Sequence, residues 1–122
     1  MSNVPKLLVV DDDQMMLDFA VQALARIGFA AVASTNAEAA LLVLKQDSEI
    51  RVGIFDINLG RGLTGMELAD EAHALRPDIG IILTSGDHNA LHRVMEGIRY
   101  DIDILAKPYR LSTLREKLSQ FT

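Results

Sequence analysis

The sequence contains no cysteine, no tryptophan and only three prolines. Without cysteine, the chain cannot form disulfide bonds, thiolate nucleophiles or zinc–thiolate sites, and this fits a reducing compartment. Aromatic residues make up only 5% of the chain, so any core must consist mainly of Leu, Ile, Val and Ala. The 122 residues, 49% of them hydrophobic, are enough for one domain with a single core.

Long apolar segments and an excess of positive charge are also missing. No stretch approaches the roughly 20 apolar residues of a transmembrane helix, and residues 1–6 lack the apolar segment of a signal peptide. The formal net charge is −5, whereas binding to duplex nucleic acid requires a basic face. We therefore expect a cytoplasmic protein that contacts neither a membrane nor nucleic acid directly.

Strand-like apolar segments alternate with helix-like segments along the whole chain. Strands are predicted at 6–10, 30–34, 51–55, 80–84 and 102–106. Helices are predicted at 13–27, 37–45, from 64 or 65 to before Pro77, 90–97 and 111–121. Five strands alternating with five helices predict βαβ units with right-handed crossovers, and hence a doubly wound α/β fold with a parallel sheet covered on both faces. This periodicity does not give the order of the strands.

Three consecutive aspartates, Asp11, Asp12 and Asp13, directly follow the apolar segment 7–10. Four large apolar residues in a row predict a strand buried on both faces. Taken alone, the aspartates equally suit a solvated helix N-terminus, where Asp is a good cap. However, three neighbouring carboxylates repel one another, and a multivalent cation turns that repulsion into attraction. Since ligands of open α/β sheets bind beyond the carboxyl ends of the strands, the cluster indicates a cation site.

Polar residues follow three other predicted strands as well. Asp56 follows the third strand, Thr84 and Ser85 end the fourth, and Lys107 follows the fifth. In a parallel sheet, these residues lie along the same edge as the three aspartates. Oxygen ligands suit Mg²⁺, a lysine can neutralise the charge of a phosphoryl group, and a carboxylate can form an aspartyl-phosphate. The combination indicates a site for a small hard cation and a phosphoryl group.

Four short motifs, each at the end of a predicted strand, resemble those of the receiver domain of two-component response regulators. They are Val9-Val10-Asp11-Asp12-Asp13, Phe55-Asp56-Ile57-Asn58-Leu59, Leu83-Thr84-Ser85-Gly86 and Ala106-Lys107-Pro108-Tyr109. Each motif is weak alone, but four in the right order are a strong signal, and the resemblance covers essentially the whole chain. It implies the flavodoxin-like sheet with strand order 2-1-3-4-5.

The resemblance also implies a metal site and a phosphoacceptor. Asp56 is expected to accept a phosphoryl group from a phosphohistidine on a histidine kinase or histidine phosphotransfer protein. Asp12 is expected to ligate Mg²⁺ together with the Asp56 carboxylate and the backbone carbonyl of Asn58, while Asp11 shapes the metal site. Such a protein is a signalling domain that assists only its own phosphorylation and dephosphorylation, and not an enzyme for other substrates.

The remaining residues of the implied site contact the phosphoryl group. Thr84 is expected to hydrogen-bond to it and Lys107 to act as its counter-charge, while Asp13 helps to start the first helix. The added charge would then shift the face formed by the fourth helix and fifth strand towards a new interaction surface. The recipient of the signal is a downstream protein or the rest of a longer chain.

Two features depart from the family pattern. The family commonly has Pro four positions after the acceptor and Gly eight after it, whereas this chain has Gly60 and Gly65 at positions four and nine. The loop is therefore about one residue longer, and we expect it to be unusually mobile. The aromatic switch residue, usually three positions before the lysine, is replaced by Ile104, with Tyr100 nearby in another register.

Other interpretations remain open at this point. Residues 1–122 are expected to form a single receiver domain without an output domain, either as a stand-alone protein or as part of a longer one. A degenerate receiver that acts only as a protein-interaction module is the main alternative. A haloacid-dehalogenase-type phosphatase fits poorly, because Met15 occupies the place of the required Thr or Val. The histidines His88 and His92 have the i, i+4 spacing of metal ligands, but we interpret them as exposed.

Overall fold

The five predicted strands form one parallel sheet in the computed structural model, which describes residues 5–60, 62–98 and 100–121. Residues 1–4, where no signal peptide is expected, lie outside this description. The strands are β1 (Lys6–Val10), β2 (Ala30–Ser34), β3 (Ile50–Asp56), β4 (Gly80–Ser85) and β5 (Asp103–Ala106). Their order is β2-β1-β3-β4-β5, and each neighbouring pair is parallel. The order implied by the resemblance is therefore confirmed.

Five helices cover the two faces of this sheet. They are α1 (Gln14–Arg26), α2 (Ala37–Gln46), α3 (Gly65–Leu75), α4 (His88–Gly97) and α5 (Leu111–Ser119). Alternate residues of β1 point to opposite faces. Leu8 and Val10 pack in one cluster with buried residues of α2, α3 and α4, whereas Leu7 and Val9 pack with those of α1 and α5. The predicted doubly wound architecture is confirmed, and no helix in the described residues is long and apolar enough to cross a membrane.

Side chains cap the N-termini of four helices, α1 to α4, and two of these caps bear on the predicted helix starts. Asp13 accepts hydrogen bonds from the backbone N–H groups of Met15 at 3.0 Å and Met16 at 3.4 Å, so its predicted role at the start of the first helix is confirmed. Asp87 does the same for Asn89 at 2.9 Å and Ala90 at 3.2 Å. Because of this cap, α4 begins two residues earlier than periodicity predicted.

Two large apolar side chains of α1 lie in solvent. Met15 is 81% exposed and Phe19 63% exposed. The residues of α1 that are buried are Leu17, Ala20 and Leu24. These three residues form the inward face of α1, and Met15 and Phe19 lie outside it.

Candidate functional site

Backbone hydrogen bonds of the sheet place three of the predicted site residues side by side. Asp56 and Thr84 are Cα partners in the β3–β4 register. Just beyond them, the N–H of Ile57 donates to the carbonyl of Thr84 at 2.9 Å, and the N–H of Lys107 donates to the carbonyl of Ser85 at 2.8 Å. The carboxyl ends of β3, β4 and β5 are thus in register, so the acid, the hydroxyl and the amine share one edge.

The acidic cluster at this edge contains Asp11, Asp12 and Asp56. One carboxylate oxygen from each residue lies within 4.8 Å of those of the other two. Asp11 and Asp56 are buried, while Asp12 is exposed. The Nζ atom of Lys107 lies 2.7 Å from Oδ2 of Asp11 and 2.8 Å from Oδ2 of Asp56. The ammonium therefore bridges the two buried carboxylates and offsets their mutual repulsion.

Backbone N–H groups hold the second oxygen of each buried carboxylate. Oδ1 of Asp56 accepts from the N–H of Asn58 at 3.1 Å, and Oδ1 of Asp11 accepts from the N–H of Asp13 at 3.0 Å. Both carboxylates are thereby oriented before any ligand arrives. Among the residues that the structure describes, Asp12 has no hydrogen-bond or ion-pair partner, so its carboxylate is available to a ligand.

Burial and the ion pairs have opposite effects on the pKa of Asp56 and on the pKa of Lys107. Burial raises the pKa of Asp56 above its ordinary value, although the hydrogen bonds from Lys107 and the Asn58 N–H oppose the change. Burial by itself would lower the pKa of Lys107, but its hydrogen bonds to Asp11 and Asp56 outweigh that effect and raise it. Lys107 therefore keeps its positive charge at neutral pH.

The donor set fits a hard divalent cation. Three carboxylates within one small volume are the oxygen ligands that Mg²⁺ takes in proteins, and Asp11, Asp12 and Asp56 are the cluster in the described residues that could hold a metal ion. Asn58, the fourth predicted ligand, begins the exposed loop directly after Ile57. The role of its backbone carbonyl remains a prediction.

The predicted pair His88 and His92 lies apart from this cluster. Both histidines are exposed on α4, and the neighbouring Asp87 carboxylate caps that helix. In the described part of the chain, these residues form no group of three metal-ligating side chains.

Two contacts between separate elements were not predicted from the sequence. The hydroxyl of Tyr100 donates to Asp70 of α3 at 2.7 Å, and its ring stacks on His73 with 4.1 Å between centroids and an interplanar angle of 6°. The i, i+3 spacing of Asp70 and His73, which places both on one side of a helix, was the sequence feature that could have indicated this contact. In the second contact, Glu38 of α2 accepts a hydrogen bond from the N–H of Leu63 in the loop after β3.

The fold and this edge define a class: a flavodoxin-like α/β domain with an acidic cluster and a bridging lysine at the carboxyl ends of its strands. A family model for the response regulator receiver domain matches residues 7–119. The chain therefore belongs to the receiver domain family of two-component response regulators. A comparison with curated proteins gives no match.

Solved structures of receiver proteins are similar over almost the whole chain. A CheY-like receiver domain protein from Methanospirillum hungatei JF-1 is 28% identical, with a TM-score of 0.82 and coverage of 97% of this chain and 93% of that one. A receiver protein from Sinorhizobium medicae WSM419 is 27% identical, with a TM-score of 0.85 and coverage of 98% and 94%. NtrX from Brucella abortus, 26% identical with a TM-score of 0.81, is a longer protein, since the match covers 94% of this chain but 26% of NtrX.

Proposed function

We propose that Asp56 is the phosphoacceptor of this receiver domain, and that it takes the phosphoryl group from a phosphohistidine of a histidine kinase or histidine phosphotransfer protein. The observation that carries the proposal is the position of the Asp56 carboxylate. It is buried, oriented by the Asn58 N–H, and 2.8 Å from the Lys107 ammonium. It also lies within the acidic cluster that could hold a metal ion.

In the proposed transfer, an oxygen of the Asp56 carboxylate attacks phosphorus and forms the acyl-phosphate bond. The bond from phosphorus to the histidine nitrogen breaks, and the imidazole leaves with the electron pair and takes up a proton. When bound by Asp11, Asp12, Asp56 and the carbonyl of Asn58, Mg²⁺ supplies positive charge to the phosphoryl oxygens. The transfer requires alignment and charge compensation more than acid–base chemistry, which fits a site with no histidine or cysteine at its centre.

Lys107 and Thr84 are proposed to respond to the new phosphoryl group. The Lys107 ammonium already lies beside the acceptor oxygen, so a short movement lets it contact the phosphoryl oxygens instead of the carboxylates. Thr84 is buried and paired with Asp56 across β3 and β4, so its side chain leaves the sheet on the same face as that of the acceptor. A phosphoryl group carries about −2 charge at neutral pH, and this is the change that biases the domain between two conformations.

The surface beside the site offers a place for the partner. α1 begins directly after the acidic cluster and exposes Met15 and Phe19, so apolar area that a phosphodonor can cover lies next to the acceptor. The output is proposed to pass to a downstream protein or to the rest of a longer chain. With Ile104 in β5, an aromatic rotamer change at that position is not part of the mechanism.

We further propose that residues 1–122 act as one cytoplasmic receiver domain that processes only its own acyl phosphate. A small acyl phosphate and Mg²⁺ provide the test, because they replace the partner. Intact-mass measurement should show one added phosphoryl group, which is lost in Asp56→Asn and in EDTA. Asp101→Asn, which changes an exposed aspartate before β5, is the matched control and should be phosphorylated normally.

The outcomes separate the competing functions. An absence of any adduct, or an adduct that persists in Asp56→Asn, would contradict the proposal. If partner binding is retained without an adduct, the degenerate interaction module becomes the better explanation. Release of many equivalents of phosphate from substrates other than the domain's own acyl phosphate would instead indicate a phosphatase.

A further inference from the structure

A carboxylate from a separate helix holds the loop that connects β3 to α3. The backbone N–H of Leu63 donates to Oε1 of Glu38 at 3.3 Å, across 25 positions of sequence. Glu38 lies in the first turn of α2, where the helix dipole favours a negative charge. The helix therefore favours the ionised carboxylate that accepts this hydrogen bond.

The loop backbone lies next to carboxylates at two glycines. Gly62 has φ +86°, and a Cβ atom there would lie 2.7 Å from Oε1 of Glu38. Gly60 has φ +73°, and a Cβ atom there would lie 3.4 Å from Oδ2 of Asp12. The loop thus extends from the acidic cluster at one end to Glu38 at the other, and at Gly62 the close approach depends on the absence of a side chain.

The other restraints on this loop lie at its ends. Leu59 is 3% exposed and anchors the first part, and the N–H of Gly65 donates to the carbonyl of Ile57 at 2.8 Å. Thr64 exchanges hydrogen bonds with Glu67 in a capping box of α3. Between these ends, apart from residue 61, which is outside the described part, the contact to α2 is the hydrogen bond that ties the loop to another element.

We propose that Glu38 is a positioning residue of the Asp56 site. It holds the longer loop against α2, so that Gly60 stays beside Asp12 and Asn58 stays beside Asp56, and it thereby strengthens Mg²⁺ binding. The inference rests on the proposed function, and it adds a residue that lies in none of the four motifs that resemble the family. The loop is about one residue longer than the family pattern, which predicted high mobility, and the contact with Glu38 restrains it.

Two substitutions at Glu38 distinguish the effect of its hydrogen bond to the loop from the effect of its negative charge. Glu38→Gln keeps an oxygen acceptor for the Leu63 N–H but removes the charge, whereas Glu38→Ala removes both. Loss of a residue that orients metal ligands typically weakens metal binding by about 10- to 100-fold, and for this exposed hydrogen bond we expect the lower end. Calorimetry on the unphosphorylated protein should give about 10-fold weaker Mg²⁺ binding for Glu38→Ala. Glu38→Gln should retain nearly all of the wild-type affinity.

Hydrogen exchange supplies a readout independent of the metal. In Mg²⁺-free solution, the backbone amides of residues 62 and 63 should exchange faster in Glu38→Ala than in the wild type. In Glu38→Gln they should exchange at close to the wild-type rate. Glu49→Gln is the charge control, because Glu49 precedes β3 at the opposite end of the sheet. It should change neither measurement.

A substitution in the loop disrupts the same contact from its other side. Gly62→Ala places a methyl group against the Glu38 carboxylate and should reproduce both effects of Glu38→Ala. The two changes should not be additive, because they disrupt one contact. Gly28→Ala is the matched control, since Gly28 has φ +93° but no heavy atom within 4 Å of a Cβ atom. Gly28→Ala therefore introduces the backbone strain of a positive φ without disrupting a contact.

The proposal is overturned if Glu38→Gln and Glu38→Ala weaken Mg²⁺ binding equally, because that result is a charge effect alone. It is also overturned if Glu38→Ala leaves Mg²⁺ affinity or the exchange of residue 63 unchanged. These measurements need no phosphodonor. A missing adduct on Asp56 would therefore refute the proposed function, whereas the affinity and exchange data decide the role of Glu38.

Discussion

Replacing Lys107 with methionine tests the electrostatic balance of the site. The ammonium lies 2.7 Å and 2.8 Å from two buried carboxylate oxygens, and at an effective dielectric constant of about 20 each attraction amounts to about 6 kcal/mol. Desolvation cancels most of this gain. Removing one partner of a fully buried pair costs about 3–5 kcal/mol, whereas an exposed pair contributes about 0–1 kcal/mol. The Lys107 side chain is 19% exposed, so we expect Lys107→Met to lower the free energy of unfolding by about 2 kcal/mol.

The raised pKa of Asp56 predicts the effect of a second substitution, Asp56→Asn. Because the folded-state pKa lies above the ordinary value of 3.8, the protonated carboxyl favours folding below about pH 3.8. That contribution is lost as the pH rises through the folded-state pKa. At neutral pH the ionised group therefore destabilises the fold, and Asp56→Asn should increase stability. The increase should be larger in the Lys107→Met background, where no ammonium offsets the repulsion.

Urea unfolding followed by far-ultraviolet circular dichroism suits this protein, because it has no tryptophan. The four species of the double-mutant cycle are measured at pH 7 in EDTA and again in Mg²⁺. Mg²⁺ should stabilise Lys107→Met more than wild type, since the cation then has no competing ammonium. Lys117→Met, which breaks the more exposed 2.9 Å pair with Asp103, is the control and should cost under about 1 kcal/mol. Unchanged stability of Lys107→Met, or additivity in the cycle, would refute this description of the site.

Two further predictions concern the contacts of Gly65 and of Tyr100. A Cβ atom at Gly65 would lie 2.0 Å from the carbonyl oxygen of Asp56, so Gly65→Ala should cost about 3 kcal/mol. Gly97→Ala, where no atom lies within 4 Å, should raise the melting temperature slightly, and similar behaviour of both variants would contradict the assigned contact. Burial and the hydrogen bond to Asp70 raise the pKa of Tyr100. Asp70→Asn should therefore lower that pKa in a spectrophotometric titration, whereas an unchanged titration curve would argue against the bond.

Much of the fold could be predicted because its signals are local. Apolar segments of strand length, alternating with helical periodicity, correctly identified all ten elements, and all of their boundaries agree with the structure to within two residues. Asp13 was recognised as a helix-start residue for the same reason, since capping depends on neighbours along the chain. The exposure of Met15 and Phe19 was not predicted, because it depends on the rotation of α1 about its axis, which is determined by packing against the sheet.

The sequence by itself determined that Asp11, Asp12, Asp56, Thr84 and Lys107 would share one edge, because parallel strands bring their carboxyl ends together. Only the tertiary structure decided which of these groups contact one another, including the lysine that bridges two of the aspartates. It alone also revealed the carboxylate of α2 on the loop after β3 and the tyrosine stacked on α3. Such contacts join residues 25 or more positions apart. They depend on side-chain direction across separate elements, which local periodicity does not specify.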